Sequence, residues 1–156
     1  MAKLVVSQFM TLDGVVEDPG GAEDFERGGW AFNFDRGAEG DKFNAMPKYV
    51  VSTTLRDPEW NNSTVIDSDV AGAVSKLKQE LQGDILVNGS VQLVGTLVDQ
   101  GLVDEYRLMV FPTLLGAGKR LFGDTSVAAS VRLVHAQPAG ETVILTFAAA
   151  ANGGEG

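Results

Sequence analysis

Ile85-Leu86-Val87-Asn88-Gly89-Ser90-Val91-Gln92-Leu93 is the stretch whose reading decides the fold. Three consecutive branched or long apolar residues read as a short strand buried on both faces, the habit of strands in a covered parallel sheet. The chain then turns through Asn88-Gly89-Ser90 directly into a helix, where Val91, Val94, Leu97 and Val98 form the buried stripe and Gly101 ends it. The first amides of such a helix lack internal partners and carry the positive end of its dipole. Gly89 has no Cβ to hold a phosphate away from the backbone, so the junction suits a pyrophosphate at the carboxyl end of a parallel strand. A plainer reading makes Ser90 a helix cap only, and the segment by itself favours neither.

Upstream, Asp69 as N-cap and Gly83 just past the end bracket another helix, with Val70, Val74, Leu77 and Leu81 on one face. Lys3 to Met10 reads as the first strand, stopped by the turn Thr11-Leu12-Asp13-Gly14. Lys48-Tyr49-Val50-Val51-Ser52 is a second strand, and Val65-Ile66 a short one. Downstream, Glu105 to Phe111 is a strand closed by Pro112. Val131 to His135 and Thr142 to Phe147 alternate in period two around Pro138-Ala139-Gly140, which is an antiparallel hairpin. Strands and helices in alternation, followed by a hairpin, predict an α/β fold with a mainly parallel sheet, helices on its faces and an antiparallel edge. Residues 1–150 suit a single domain and 151–156 a frayed tail. Glu17 to Asp41 is acidic and glycine-rich, with Phe25, Trp30, Phe32 and Phe34 scattered through it, and it yields no regular element. Long irregular stretches in compact domains are functional loops or mobile ones.

Composition narrows the chemistry. A net charge of −9 opposes a nucleic-acid partner, while leaving room for a small anionic ligand in a local site. Cysteine is absent, which excludes disulfides, thiolate metal sites and a cysteine nucleophile. His135, the one histidine, falls in the alternating hairpin, and metal ligands do not cluster. Gly116-Ala117-Gly118-Lys119 fails as a P-loop, since Thr113 and Arg120 stand where glycine and Ser/Thr are needed. The apolar run at the N-terminus is too short for a signal peptide or a membrane span, so a cytoplasmic protein without membrane contact is expected. Trp30 and Trp60 default to packing. Asp13 sits at the carboxyl end of the first strand, where it would face a ligand crevice, although Asp before Gly also simply makes turns.

Taken in order, several segments resemble one family. These are Leu4-Val5-Val6 with Thr11-Leu12-Asp13-Gly14, Met46-Pro47-Lys48-Tyr49-Val50-Val51-Ser52-Thr53-Thr54-Leu55, and Asn88-Gly89-Ser90. Gly101-Leu102-Val103-Asp104-Glu105 and Pro112-Thr113-Leu114-Leu115-Gly116-Ala117-Gly118-Lys119 with Leu121-Phe122 complete the set. They are similar to bacterial dihydrofolate-reductase-like proteins related to the reductase domain of the bifunctional riboflavin-biosynthesis deaminase-reductase. The resemblance runs over most of the chain, and its motifs are weak singly but specific as an ordered set. It implies a dihydrofolate-reductase-like three-layer fold with NADPH across the carboxyl edge of the sheet. Ser52, Thr53, Thr54 and Leu55 would then lie at the adenosine end, and Gly89, Ser90, Val91 and Gln92 at the pyrophosphate. Leu12 and Asp13 would border nicotinamide and substrate, with Asp13 the catalytic candidate. The implied activity is hydride transfer to a small heterocyclic or carbonyl substrate. A ligand-binding module without turnover and an assembly protein without ligand are the alternatives.

One departure stands out. Relatives carry a further helix, a strand and a G-R-x-T-Y/W motif before the Met-Pro-Lys-Tyr strand, and the motif's Arg and Thr contact cofactor phosphates. Here Gly40-Asp41-Lys42-Phe43 runs almost directly into Asn44-Ala45-Met46-Pro47, so a βα unit of roughly 30 residues is absent. The hairpin leaves a sheet edge, and Val143, Leu145 and Phe147 leave an apolar face, so a homodimer is expected.

Overall fold

The computed structural model describes residues 2–21, 24–34, 48–51, 63–88, 91–122 and 129–149. Five strands make one sheet: β1 (Leu4–Thr11), β4 (Ile85–Asn88), β5 (Glu105–Phe111), β6 (Val131–Ala139) and β7 (Thr142–Ala149), in the order β4-β1-β5-β7-β6. β4, β1 and β5 run parallel, and the hairpin β6–β7 adds antiparallel to β5. β2 (Lys48–Val51) and β3 (Ser63–Ile66) pair parallel in a separate two-stranded sheet. Two helices, α1 (Val70–Glu80) and α2 (Val91–Asp99), flank β4 in sequence.

Side chains alternate across a strand, so the two faces of the sheet can be read from the register. Leu4 and Val6 share one face with Val87, Tyr106 and Leu108, and meet Val74 of α1 and Val94 and Leu97 of α2. Both helices therefore cover the same face. The opposite face presents Phe9, Met109, Phe111 and Ile144 to Trp30, Ala31 and Phe34. That cover comes from the segment the periodicity left without an element, and it contains a short 3-10 helix, Trp30–Asn33. Phe111 sits at its centre, 5.2 Å from the Trp30 ring edge-on, 5.4 Å from Phe9 and 6.0 Å from Phe34.

Asp69 caps α1 as expected, accepting a 3.3 Å hydrogen bond from the Gly72 amide. The helix stops at Glu80, earlier than the Gly83 signal predicts, because Leu81 turns extended after its N–H closes the last turn on Leu77. At the amino edge of the sheet Asp104 accepts from the Leu4 amide at 2.8 Å and pairs with Lys78 at 2.7 Å. Arg107 bridges Glu105 and Asp84 nearby, at 2.6 and 3.0 Å. The carboxyl edge is stepped. β1 and β4 pair last at Ser7 and Asn88, whereas β1 continues beside β5 up to Thr11 and Phe111. No helix among the described residues is long and apolar enough to cross a membrane.

Candidate functional site

The carboxyl edge is built by two turns that interlock. Thr11, fully buried at the end of β1, donates its hydroxyl to Asp13 Oδ1 at 2.5 Å and accepts from the Val15 amide at 3.0 Å. That bond pair closes a tight turn and aims the Asp13 carboxylate at the loop after β5. There Oδ1 accepts from the Leu115 amide at 3.3 Å and Oδ2 from the Gly116 amide at 2.8 Å. The Leu12 amide donates to the Thr113 carbonyl, and the Val16 amide to the Lys119 carbonyl. Glu17 Oε2 in turn accepts from the Lys119 amide at 3.0 Å. Two guanidinium groups tie the junction from outside: Arg120 donates to the Asp13 carbonyl and Arg27 to the Leu115 carbonyl.

These bonds set the protonation state of Asp13. The Thr11 hydroxyl first, then the Gly116 amide, with the Leu115 amide adding less, pull its pKa from 3.8 to about 2. Asp13 is thus ionised throughout the neutral range and is a poor proton donor; its geometry holds two turns in register. The sign of its pH dependence follows. A depressed folded pKa contributes stability above the unfolded value, and that contribution is lost as pH falls through the folded one. Asp13→Asn is expected to be less stable than wild type at neutral pH, with the gap closing between about pH 4 and pH 2. Thermal unfolding of both proteins across that range checks it. A gap independent of pH would show that the carboxylate charge does not hold the junction.

Leu12, 66% exposed, projects from the same turn as Asp13. Val91 and Gln92 open α2. Ser52, Thr53, Thr54 and Leu55, together with Gly89 and Ser90, lie outside the described residues, as do Trp60 and residues 151–156. His135 is exposed on β6 and faces Gln137 at 2.9 Å. Sequence patterns missed Arg27, Arg120, Glu17 and the Leu115 and Gly116 amides, because each acts only through a partner distant in the chain. They also missed Gln8. Its residue is 6% exposed, and its Nε2 has no hydrogen-bond partner. Gln8 is the first β1 residue past the last pairing with β4. A buried N–H left unpaired costs about 1–3 kcal/mol, so an acceptor arriving in the step beside β4 would be stabilised there.

The RibD C-terminal domain family model matches residues 26–145. The chain belongs to the RibD C-terminal domain family. Among members with the same fold, the A. baumannii RibD structure superposes with a TM-score of 0.68 at 14% identity, covering 97% of this chain and 59% of that one. A riboflavin biosynthesis protein from Shewanella sp. PV-4 gives a TM-score of 0.72 at 17% identity, over 97% of this chain and 100% of the other. The dihydrofolate-reductase-like three-layer fold is therefore established. In sequence the chain is 35% identical to the protein YyaP of Bacillus subtilis over 92 residues, 59% of this chain and 48% of YyaP. YwjB of the same organism is 29% identical over 99 residues, 64% of this chain and 57% of YwjB. The chain thus spans about half the length of the curated relatives it matches. RibD C-terminal membership supports a reductase-type function.

Proposed function

We propose that the chain is an NADPH-dependent reductase that delivers hydride to a small heterocyclic or carbonyl substrate. The RibD C-terminal match carries this reading, and a solved relative of the same fold is the Saccharomyces riboflavin biosynthesis reductase Rib7, at a TM-score of 0.56 and 11% identity. The residues present fit a dinucleotide in one checkable respect: the orphaned Gln8 Nε2 lies at the step in the carboxyl edge, where a ligand acceptor could satisfy it. When bound, NADPH supplies the hydride. The chain supplies binding and orientation. Gly89, Ser90, Val91 and Gln92 would receive the pyrophosphate at the start of α2, and Ser52, Thr53, Thr54 and Leu55 the adenosine end. Leu12 offers an apolar side chain to a ring, and Asp13 holds the turn beneath it.

Thermal unfolding with NADP and with NAD tests the reading. A dinucleotide at a hundred times its dissociation constant adds about 2.7 kcal/mol of stability, and a stronger response to NADP is expected. No shift with either, together with no oxidation of NADPH against pyrimidine or pteridine substrates, would sink it.

We also propose that two copies pair through the hairpin edge. β6 is exposed along nearly its whole length, and Val131, Leu133 and Val134 stand out of it, with a bulge between Leu133 and His135. An uncovered edge with apolar side chains invites a second strand. Light scattering should give twice the chain mass of 16.5 kDa, and a mass of 16.5 kDa at every concentration would defeat the dimer.

A further inference from the structure

We infer that Asp13-Gly14 is a latent isoaspartate site, kept closed in the folded chain by the interlocked turns and above all by Thr11. The chemistry is the same whether or not the chain is a reductase. In an Asp-Gly step the glycine amide nitrogen can attack the aspartate Cγ, because the glycine has no side chain to shield that nitrogen. The N–Cγ bond forms as the Cγ–OH bond breaks, and the amide proton leaves with the hydroxyl as water. A second water then opens the succinimide ring. Addition at Cγ restores aspartate, whereas addition at the main-chain carbonyl carbon leaves the chain running through Cβ and Cγ. The backbone is then one methylene longer, and the carboxylate sits directly on Cα. Asp13-Gly14 is the one Asp-Gly step in the sequence.

The fold needs both residues of the reactive pair. Gly14 has φ 88°, in the left-handed region where a side chain is strained. Asp13 carries the carboxylate that joins the two turns through the Leu115 and Gly116 amides. Every polar group of the step is engaged. The nucleophile, the Gly14 amide, donates to the Thr11 carbonyl at 3.0 Å. The electrophile, the Asp13 carboxylate, is held by the Thr11 hydroxyl at 2.5 Å, the Gly116 amide at 2.8 Å and the Leu115 amide at 3.3 Å. The Asp13 carbonyl, where the ring would open, accepts from Arg120. Thr11 therefore restrains both reacting groups, one with its carbonyl and the other with its hydroxyl, and it is itself fully buried. The donors also hold the carboxyl well below its ordinary pKa, and a carboxylate, unlike the acid, has no hydroxyl ready to leave. To react, Asp13 must leave the loop after β5 and swing back onto its own backbone. The rate in the folded chain is then the intrinsic rate multiplied by the fraction of time that the junction is open. Once formed, isoaspartate lengthens the turn and takes the acceptor away from Leu115 and Gly116.

The full chain is aged at neutral pH, folded and in denaturing urea, and isoaspartate at position 13 is measured in the tryptic peptide 4–27 by electron-transfer fragmentation. Site-resolved detection keeps it apart from Asn88-Gly89 and Asn152-Gly153, whose deamidation also yields isoaspartate. Folded wild type should isomerise at least about tenfold more slowly than the unfolded chain. Thr11→Val keeps the branched shape and removes the hydroxyl. It should isomerise about tenfold or more faster than wild type when folded, and at the wild-type rate in urea. Thr11→Ser returns the hydroxyl and should behave like wild type. The unfolding temperature of each variant must lie well above the ageing temperature, so that the rates report the junction and not global unfolding. Equal rates in folded and unfolded wild type would overturn the latent site, and that comparison needs no variant. A folded Thr11→Val protein ageing at the wild-type rate, the same acceleration in urea, or Thr11→Ser ageing as fast as Thr11→Val would overturn the part given to Thr11.

Discussion

Phe111→Ala is expected to lower the stability of the chain by about 3–5 kcal/mol, the largest loss from any single truncation on the aromatic face. Phe111 is 0% exposed and contacts three other aromatic rings with centroids 5.2 to 6.0 Å away. Truncation removes the transfer energy of the ring and leaves a cavity that the rigid β5 backbone cannot close. Each lost ring pair adds roughly 0.5–1.5 kcal/mol beyond area. The consequence reaches the site, because Trp30 rests on Phe111 and the same segment carries Arg27. Trp30 is further pinned by its indole N–H on the Glu17 carbonyl at 3.0 Å. Denaturant unfolding measures the loss. A change under about 1 kcal/mol would mean that the segment is held by its main-chain bonds alone.

Gly89→Val should raise the dissociation constant for NADP by about 100-fold or more while leaving the unfolding temperature of the free protein near that of wild type. Gly89 follows Asn88, the last residue of β4, and stands two before Val91, the first of α2. A branched side chain at that point would keep a phosphate from the first amides of the helix. Equal NADP affinity in a folded Gly89→Val protein would remove the pyrophosphate from the α2 junction.

The strands and helices were legible where local pattern decides them. The apolar runs of β1 and β4, the stripe of α2, the Asp69 cap and the hairpin all act over a few residues, and each lies where the pattern puts it, except that β6 runs on through Pro138 and Ala139 so that the turn is Gly140-Glu141. Periodicity shows which side of a helix is apolar; it does not show which side of the sheet receives it. The expectation of helices on the sheet's faces therefore became two helices on one face and an aromatic segment on the other. Trp30 packs as a residue of its size is expected to, but the face that it and Phe34 cover carried no signal, because a 3-10 turn has no repeating stripe to read. Asp13 was legible as a residue of interest from its place at a strand end. Its binding to Leu115 and Gly116 was not, because nothing near Asp13 in sequence predicts a partner after β5.

That long reach has a kinetic consequence. The bonds that assemble the carboxyl edge join residues 88 to 107 positions apart: Arg27 to Leu115, Asp13 to Leu115 and Gly116, Glu17 to Lys119, and Asp13 to Arg120. Closing loops of that length must precede any gain from the contacts, which slows folding relative to a chain of local contacts. On a ribosome, a chain interrupted before Gly116 has the whole of β1 and the Thr11–Asp13 turn but lacks the Gly116 amide that orients the carboxylate. The edge that carries the candidate site cannot form before β1 pairs with β5, whose partners are just as far apart in sequence (Val5 with Glu105, Thr11 with Phe111), and an amide-exchange pulse during refolding should find Gly116 protected no earlier than the strand residues of β1.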